Sequence, residues 1–255
     1  MRKSLCTLIF LYMATVALAQ GPPAASSVCE IHTNKVKAGM TQQYEQARAQ
    51  HMAWHKSQND AWTWIVWEVQ TGEHTGDYVV GSCGHDWKDF DSREKFNAAD
   101  SANANSTMGS TMAGETMAYY VFRSDLAPAP TPGPPPPYLT VVHFYLKPEG
   151  VPDFIDGVKK VVAGMAKTSY PQTRASWYAL VNGGHGPEFV LVTERKNISE
   201  LQPPAKTLDQ MMQEAYGAQG ATIMATMRKA YYHTDSELLH FRSDLSYMSA
   251  TAPKP

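Results

Sequence analysis

The chain has 255 residues, 43% of them hydrophobic and 18% charged, which is enough apolar material for a substantial core and too much for a disordered chain. Lys and Arg number 22 against 24 Asp and Glu, a formal net charge of -2, and no Lys/Arg cluster interrupts the even spread. The electrostatic footprint that phosphate-backbone binding requires is missing, so nucleic acid is excluded as an expected partner.

Arg2 and Lys3 precede an apolar run over residues 5–18, shorter than the ~20 residues of a spanning helix. Ala17-Leu18-Ala19 then supplies the small-x-small pattern of a cleavage site. Residues 1–19 read as a signal peptide cleaved after Ala19, and the mature chain as exported, periplasmic or extracellular, with no membrane attachment after cleavage. Of the three cysteines Cys6 leaves with the signal. Cys29 and Cys83 remain as one possible pair in an oxidising compartment.

Residues 28–126 form the first module. Residues 29–37 alternate as a strand, and Tyr44, Ala47, His51 and Trp54 then recur at helical spacing. Residues 62–70 and 78–83 read as two strands around a Gly-rich turn. An Ala- and Met-rich second helix leads to a last strand that ends at Phe122-Arg123-Ser124-Asp125-Leu126. Residues 127–137, APAPTPGPPPP, cannot form ladder hydrogen bonds and favour extended polyproline geometry, so they read as a linker.

The order then recurs over residues 138–245: a strand at 139–147, a helix carrying Ile155, Val158, Val162 and Met165, strands at 175–181 and 189–193, a second helix and a last strand. That strand ends at Phe241-Arg242-Ser243-Asp244-Leu245, which repeats the earlier pentapeptide. His32, Gly39, Gly72 and His74 match His143, Gly150, Gly183 and His185 at one constant spacing, so the first sixty residues of the two modules align without a gap. An insertion after Phe90, near Pro203-Pro204, accounts for the longer second module. Residues 246–255 read as a flexible tail.

An order of β-α-β-β-α-β, twice, in modules of this size resembles the ferredoxin-like dimeric α+β barrel superfamily. That superfamily includes antibiotic-biosynthesis monooxygenases, haem-degrading monooxygenases and, as fused tandem modules, chlorite dismutases. The resemblance is one of architecture and implies an α+β fold in which two sheets face each other, with the helices outside and the ligand between the sheets. Here both halves would come from one chain, an intrachain barrel that can exist as a monomer. In such a sheet the first and third strands are antiparallel neighbours, which predicts a Cys29–Cys83 disulfide and a register placing Ile31 opposite Gly81, His32 opposite Val80 and Thr33 opposite Val79.

Alternation divides each first strand into two faces. Assigning the more apolar face to the helices leaves Glu30 and His32, and His143 and Tyr145, on the barrel side. Arg123 should approach Glu30 or His32, and Arg242 should approach His143. With Trp64, Glu68 and Trp177 these residues form the expected ligand-binding set, suited to an anionic aromatic compound or a cofactor. The competing reading is that the same groups satisfy one another at a structural interface. His51 and His55 stand four apart on a helix, a spacing that lets both imidazoles reach one metal. No third ligand is visible in the sequence, and His51 aligns with the core position Val162, so satisfied core histidines are expected and no metal.

HExxH, GxSxG, Walker, GxGxxG and CxxC patterns are absent. What remains is an exported small-molecule-binding barrel of unknown ligand. The alternatives are a monooxygenase-like enzyme, cofactor-independent or haem-dependent with His32 or His143 as base or axial ligand, and a structural protein without a ligand.

Overall fold

The computed structural model of the chain describes residues 27–127, 133–171 and 174–250. The signal-peptide assignment and the middle of the Pro-rich linker lie outside these residues. No described helix is long and apolar enough to cross a membrane.

The first half runs β1 (Val28–Val36), α1 (Thr41–Ser57), β2 (Ile65–Thr71), β3 (Tyr78–His85), α2 (Trp87–Ser92), α3 (Glu94–Met108) and β4 (Met112–Phe122). The second runs β5 (Tyr138–Leu146), α4 (Val151–Lys167), β6 (Ala175–Asn182), β7 (Glu188–Arg195), α5 (Leu208–Tyr216), α6 (Gln219–Lys229) and β8 (Tyr231–Phe241). Each expected second helix is in fact two. The break between α5 and α6 falls at Gly217, whose φ of 58° belongs to the left-handed region that stops a helix.

The eight strands close into an antiparallel barrel in the order β1-β3-β2-β8-β5-β7-β6-β4. The seams are β2 with β8 and β4 with β6, so each half ends by pairing with the other. The pentapeptides fasten these seams. Arg123 N–H donates to Trp177 O and Arg242 N–H to Val66 O. Leu126 then enters the core beneath α4–α6, and Leu245 the core beneath α1 and α3. The expected tail is partly engaged: Trp64 pairs with Tyr247, whose hydroxyl donates to Asp60 O at 2.8 Å.

Cys29 pairs with Cys83 across β1 and β3 and is disulfide-bonded to it. Ile31 lies opposite Gly81, His32 opposite Val80 and Thr33 opposite Val79, the expected register. The faces of β1 are nevertheless the reverse of those expected. The Cys29, Ile31 and Thr33 face lines the barrel interior, and Glu30, His32 and Asn34 lie beneath α1.

The cause is a slip of one residue in the alignment. Lys37 N–H donates to Thr111 O, and the equivalent bond runs from Lys147 to Ala230 O, while α1 is capped by Met40 and α4 by Gly150. Over β1 and α1 the spacing between matching positions is therefore one less than the sequence match at His32 and His143 indicates. Gly72 and Gly183 do match, both with positive φ in the β2–β3 and β6–β7 turns. Because side chains alternate, a slip of one exchanges the two faces of a strand. The position of His143 is taken by Thr33, and that of His32 by Val142.

Candidate functional site

Two cavities follow from this arrangement, one inside the barrel and one beneath the helices of the first half. The interior cavity has a volume of about 410 Å³ and is walled mainly by Ile31, Ile65, Trp67, Val79, Leu139, Val141, Val190 and Leu239. The disulfide lines it, and Pro135 and Pro136 at the end of the linker contribute to its wall. Its volume falls in the range of small-molecule sites, and a predominantly apolar wall with few polar groups is the usual composition of such a site.

His143 is the imidazole on the β5 wall. Its Nδ1 lies 2.5 Å from Glu188 Oε1, and the Glu188 side chain is 4% exposed. The Tyr120 hydroxyl donates to the same oxygen at 3.4 Å, and burial together with the Glu188 charge raises its pKa above the ordinary phenol value. Tyr145 shares the His143 face and stacks beside it with ring centroids 6.3 Å apart. His74, from the β2–β3 turn, bonds Glu237 at 2.6 Å, and both line the cavity.

The other expected interior residues lie elsewhere. His32 and Trp64 line the second cavity. Glu30 bonds His32 on the same face of β1. Trp177 packs in the core beneath α4–α6. Arg242 is paired with Asp244, Glu45 and Glu68 beside α1 instead of approaching His143. Arg123 forms a forked pair with Asp125 and lies 5.1 Å from the Phe189 ring in the second-half core, far from its expected partners Glu30 and His32. Both corrections have one cause: β4 and β8 cross the seams, so each terminal Arg is delivered to the opposite half.

The second cavity, about 180 Å³, lies between α1, α3 and the outer face of β1. His32 sits at its edge with Nε2 2.7 Å from Glu30 and Nδ1 2.9 Å from Glu115. Burial alone would lower the His32 pKa, but the bonds to Glu115 and Glu30 outweigh it and push it up to about 9. Arg48, His51, His55 and Asp100 complete its polar wall. Asp60, fully buried, accepts from Arg93 at 2.5 and 2.6 Å, from the Trp62 N–H, from Trp64 Nε1 and from His55 Nδ1. Burial raises the Asp60 pKa, but these donors, His55 and Arg93 foremost, hold it well below the usual carboxylate range.

Sequence reasoning missed Asp100, Asp60, Arg48 and Glu188. A signal for the first three was present: Arg48, His51 and His55 occupy the stripe of α1 that also carries Tyr44 and Ala47, and polar residues on a buried stripe imply polar partners. Glu188 had no such signal, because its role depends on lying across the barrel wall from Tyr145.

No family model matches the chain, and no curated protein matches it. Solved structures do. A "putative monooxygenase" of Fusobacterium nucleatum subsp. nucleatum superimposes with a TM-score of 0.57 at 12% identity, covering 86% of this chain and 93% of that one. An anthrone oxidase-like protein gives 0.52 at 10%, covering 90% and 95%. A mutant chlorite dismutase from Candidatus Nitrospira defluvii gives 0.54 at 11%, covering 86% and 92%. These neighbours are monooxygenase-like and chlorite dismutase-like members of the dimeric α+β barrel superfamily. The likeness is one of fold.

Haem, which that superfamily brings into question, meets a mixed set of residues. His143 offers an axial nitrogen, whereas among the described residues no Arg or Lys lines the interior cavity to pair with the propionates, and Glu237 would oppose them. His32 is on the other side of the sheet, so the two histidines do not share the site.

Proposed function

We propose that the barrel interior binds an apolar aromatic small molecule and that the chain is a monooxygenase-like enzyme working on it without a cofactor. One observation carries this reading: the His143 imidazole, on the wall of a mainly apolar cavity, has its Nδ1 held by the buried Glu188 carboxylate. Glu188 holds His143 in the tautomer whose Nε2 is unprotonated, the arrangement of an oriented general base.

The reaction class that suits such a site is oxidation of an activated CH2 group flanked by aromatic rings. His143 takes one proton from the carbon, and the resulting carbanion supplies electrons to dioxygen. In total the CH2 group and one O2 give a carbonyl group and one water, with no external reductant. The apolar walls exclude bulk water and hold the ring system against the base. The name of the anthrone oxidase-like neighbour is in keeping with this class.

The same element order in both halves and the repeated pentapeptide support reading the halves as copies of one module whose barrel is completed within the chain. The disulfide supports an exported, oxidising location. A second reading, a binding protein without catalysis, rests on the same cavity.

Anthrone under air is the probe. Quenching of Trp67 fluorescence reports binding, and oxygen uptake reports turnover. Binding is expected in the wild type and in His143→Gln, with oxygen uptake about 10²–10⁴-fold lower in the variant. Binding without uptake in the wild type overturns the oxidation reading and leaves the binding protein. Absence of binding removes both.

A further inference from the structure

The cavity beneath α1 and α3 holds an arrangement that the barrel reading does not use. His51 and His55, one turn apart on α1, face Asp100 on α3. His51 Nε2 and His55 Nε2 are 3.2 Å apart, and Asp100 Oδ1 lies 3.2 Å from the first and 3.3 Å from the second. The three atoms form a nearly equilateral triangle. An ion about 2.1 Å from each of two ligands separates them by about 3.0 Å at a right angle and by about 3.4 Å at the tetrahedral angle. The observed edges fall between these limits.

The outer nitrogens support the same conclusion. His55 Nδ1 is 2.8 Å from Asp60, a carboxylate already clamped by Arg93, so Asp60 accepts from that nitrogen and fixes the ring with Nε2 turned toward His51 and Asp100. His51 Nδ1 is 2.8 Å from Asn103 Oδ1, which orients that ring in the same way. A carboxylate or carbonyl on the outer nitrogen is how proteins aim histidines at metals. Asp100 Oδ1 is buried and accepts no hydrogen bond of good geometry, although both imidazole nitrogens are close. Three atoms of metal-ligand type thus converge on one point.

An independent observation comes from Arg48. It is 4% exposed and lines the same cavity, and it has no hydrogen-bond or ion-pair partner among the described residues; its buried Nε is unpartnered. The Asp100 and Glu115 carboxylates act on it only at longer range, and a buried guanidinium without a directly bonded anion is costly. The empty volume beside it lies next to the His51–His55–Asp100 triangle.

We propose that His51, His55 and Asp100 bind one divalent transition-metal ion with open positions facing this cavity, where Arg48 pairs with a small carboxylate that also reaches the ion. Two imidazoles and one carboxylate on a single face, with the opposite face open, form the ligand set that suits first-row ions able to exchange or activate bound molecules. The site lies outside the barrel, and its test is independent of any oxidation there.

The experiment uses untagged mature protein, dialysed against chelator and titrated with Co²⁺, whose visible absorption reports coordination, and with Zn²⁺ by calorimetry. One ion per chain is expected, with a rise in the thermal midpoint that follows metal concentration. Asp100→Asn and His51→Ala should lower affinity on the order of 100-fold or more, and Asn103→Ala about 10-fold, as an orienting partner does. Circular dichroism verifies that each variant folds, and the near-isosteric Asp100→Asn keeps the test open if His51→Ala does not. Acetate should alter the Co²⁺ spectrum of the wild type but not that of Arg48→Gln. Absence of stoichiometric binding, or binding unchanged in Asp100→Asn, overturns the metal site. An acetate response that survives Arg48→Gln, or is missing from the wild type, overturns the role of Arg48.

Discussion

Over the second half of the barrel, α4 meets α5 and α6 through Phe154, Val158, Met211, Met212, Met224 and Met227, all buried and apolar. Gly157 and Gly164 allow that approach, since a Cβ on Gly157 would come within 2.7 Å of Met227. Over the first half, α1 meets α3 through Arg48, His51, His55 and Asp100, with Asp60 and Arg93 beside them. The same order of elements thus carries an oily layer in one half and, in the other, a charged cluster beside the apolar one of Tyr44, Ala47, Met52 and Met108. An apolar layer holds its helices by burial alone and asks only for shape. A charged layer must recover the desolvation of its ions through partners, as Asp60 does with Arg93, and an ion lacking one, such as Arg48, marks where a ligand would be favourable. This contrast directs attention to the first half for chemistry outside the barrel.

The sharpest way to break the comparison is to remove the centre of each layer. Phe154→Ala should cost about 3–5 kcal/mol in denaturant unfolding, because it empties a site packed by Phe144, Trp177 and Phe189. Asp60→Ala should cost a similar amount, about 3–5 kcal/mol, for the opposite reason: it leaves the Arg93 guanidinium buried and unpaired. A loss under about 1 kcal/mol at Asp60 would show that the charged layer is not closed as described.

The disulfide belongs to the first half alone. It spans 54 residues, and replacing both cysteines by Ala should lower stability by about 2–4 kcal/mol in non-reducing buffer, less than the chain-entropy limit. Reducing agent should reproduce the loss in the wild type and have no effect on the double variant.

The smallest expected effect is dependence on pH. Since the His32 pKa is raised in the folded state, its contribution is complete below the unfolded value near 6.5 and disappears as pH rises through about 9. The shift sets an upper limit of roughly 3 kcal/mol, and solvent screening of the partly exposed ring lowers it. Subtracting the stability profile of His32→Asn from that of the wild type should therefore give a difference that is flat below pH 6.5 and falls toward pH 9. A difference that grows with pH would reverse the assigned charge of the imidazole.

Much of this could be read locally. The alternation of residues 29–37, the helical spacing after them and the turn glycines at 72 and 183 each reflect interactions a few residues long, and they placed the elements in order. The partnership of Cys29 with Cys83 and its register followed from the sheet order that the superfamily resemblance implies, in which the first and third strands are antiparallel neighbours. Which face of β1 meets the helices was not legible. It depends on one residue of slip between the end of α1 and the β2–β3 turn, which changes no local pattern and yet exchanges every side chain of β1 between interior and exterior. Nor could local pattern deliver Arg242 to Glu45, fix His143 against Glu188 or bring Asp100 to within 3.3 Å of His51 and His55. Those encounters join residues about 45 or more positions apart, and they exist only because the barrel closes across its two seams and α3 packs on α1, choices made by burial of the whole surface and not by any one segment.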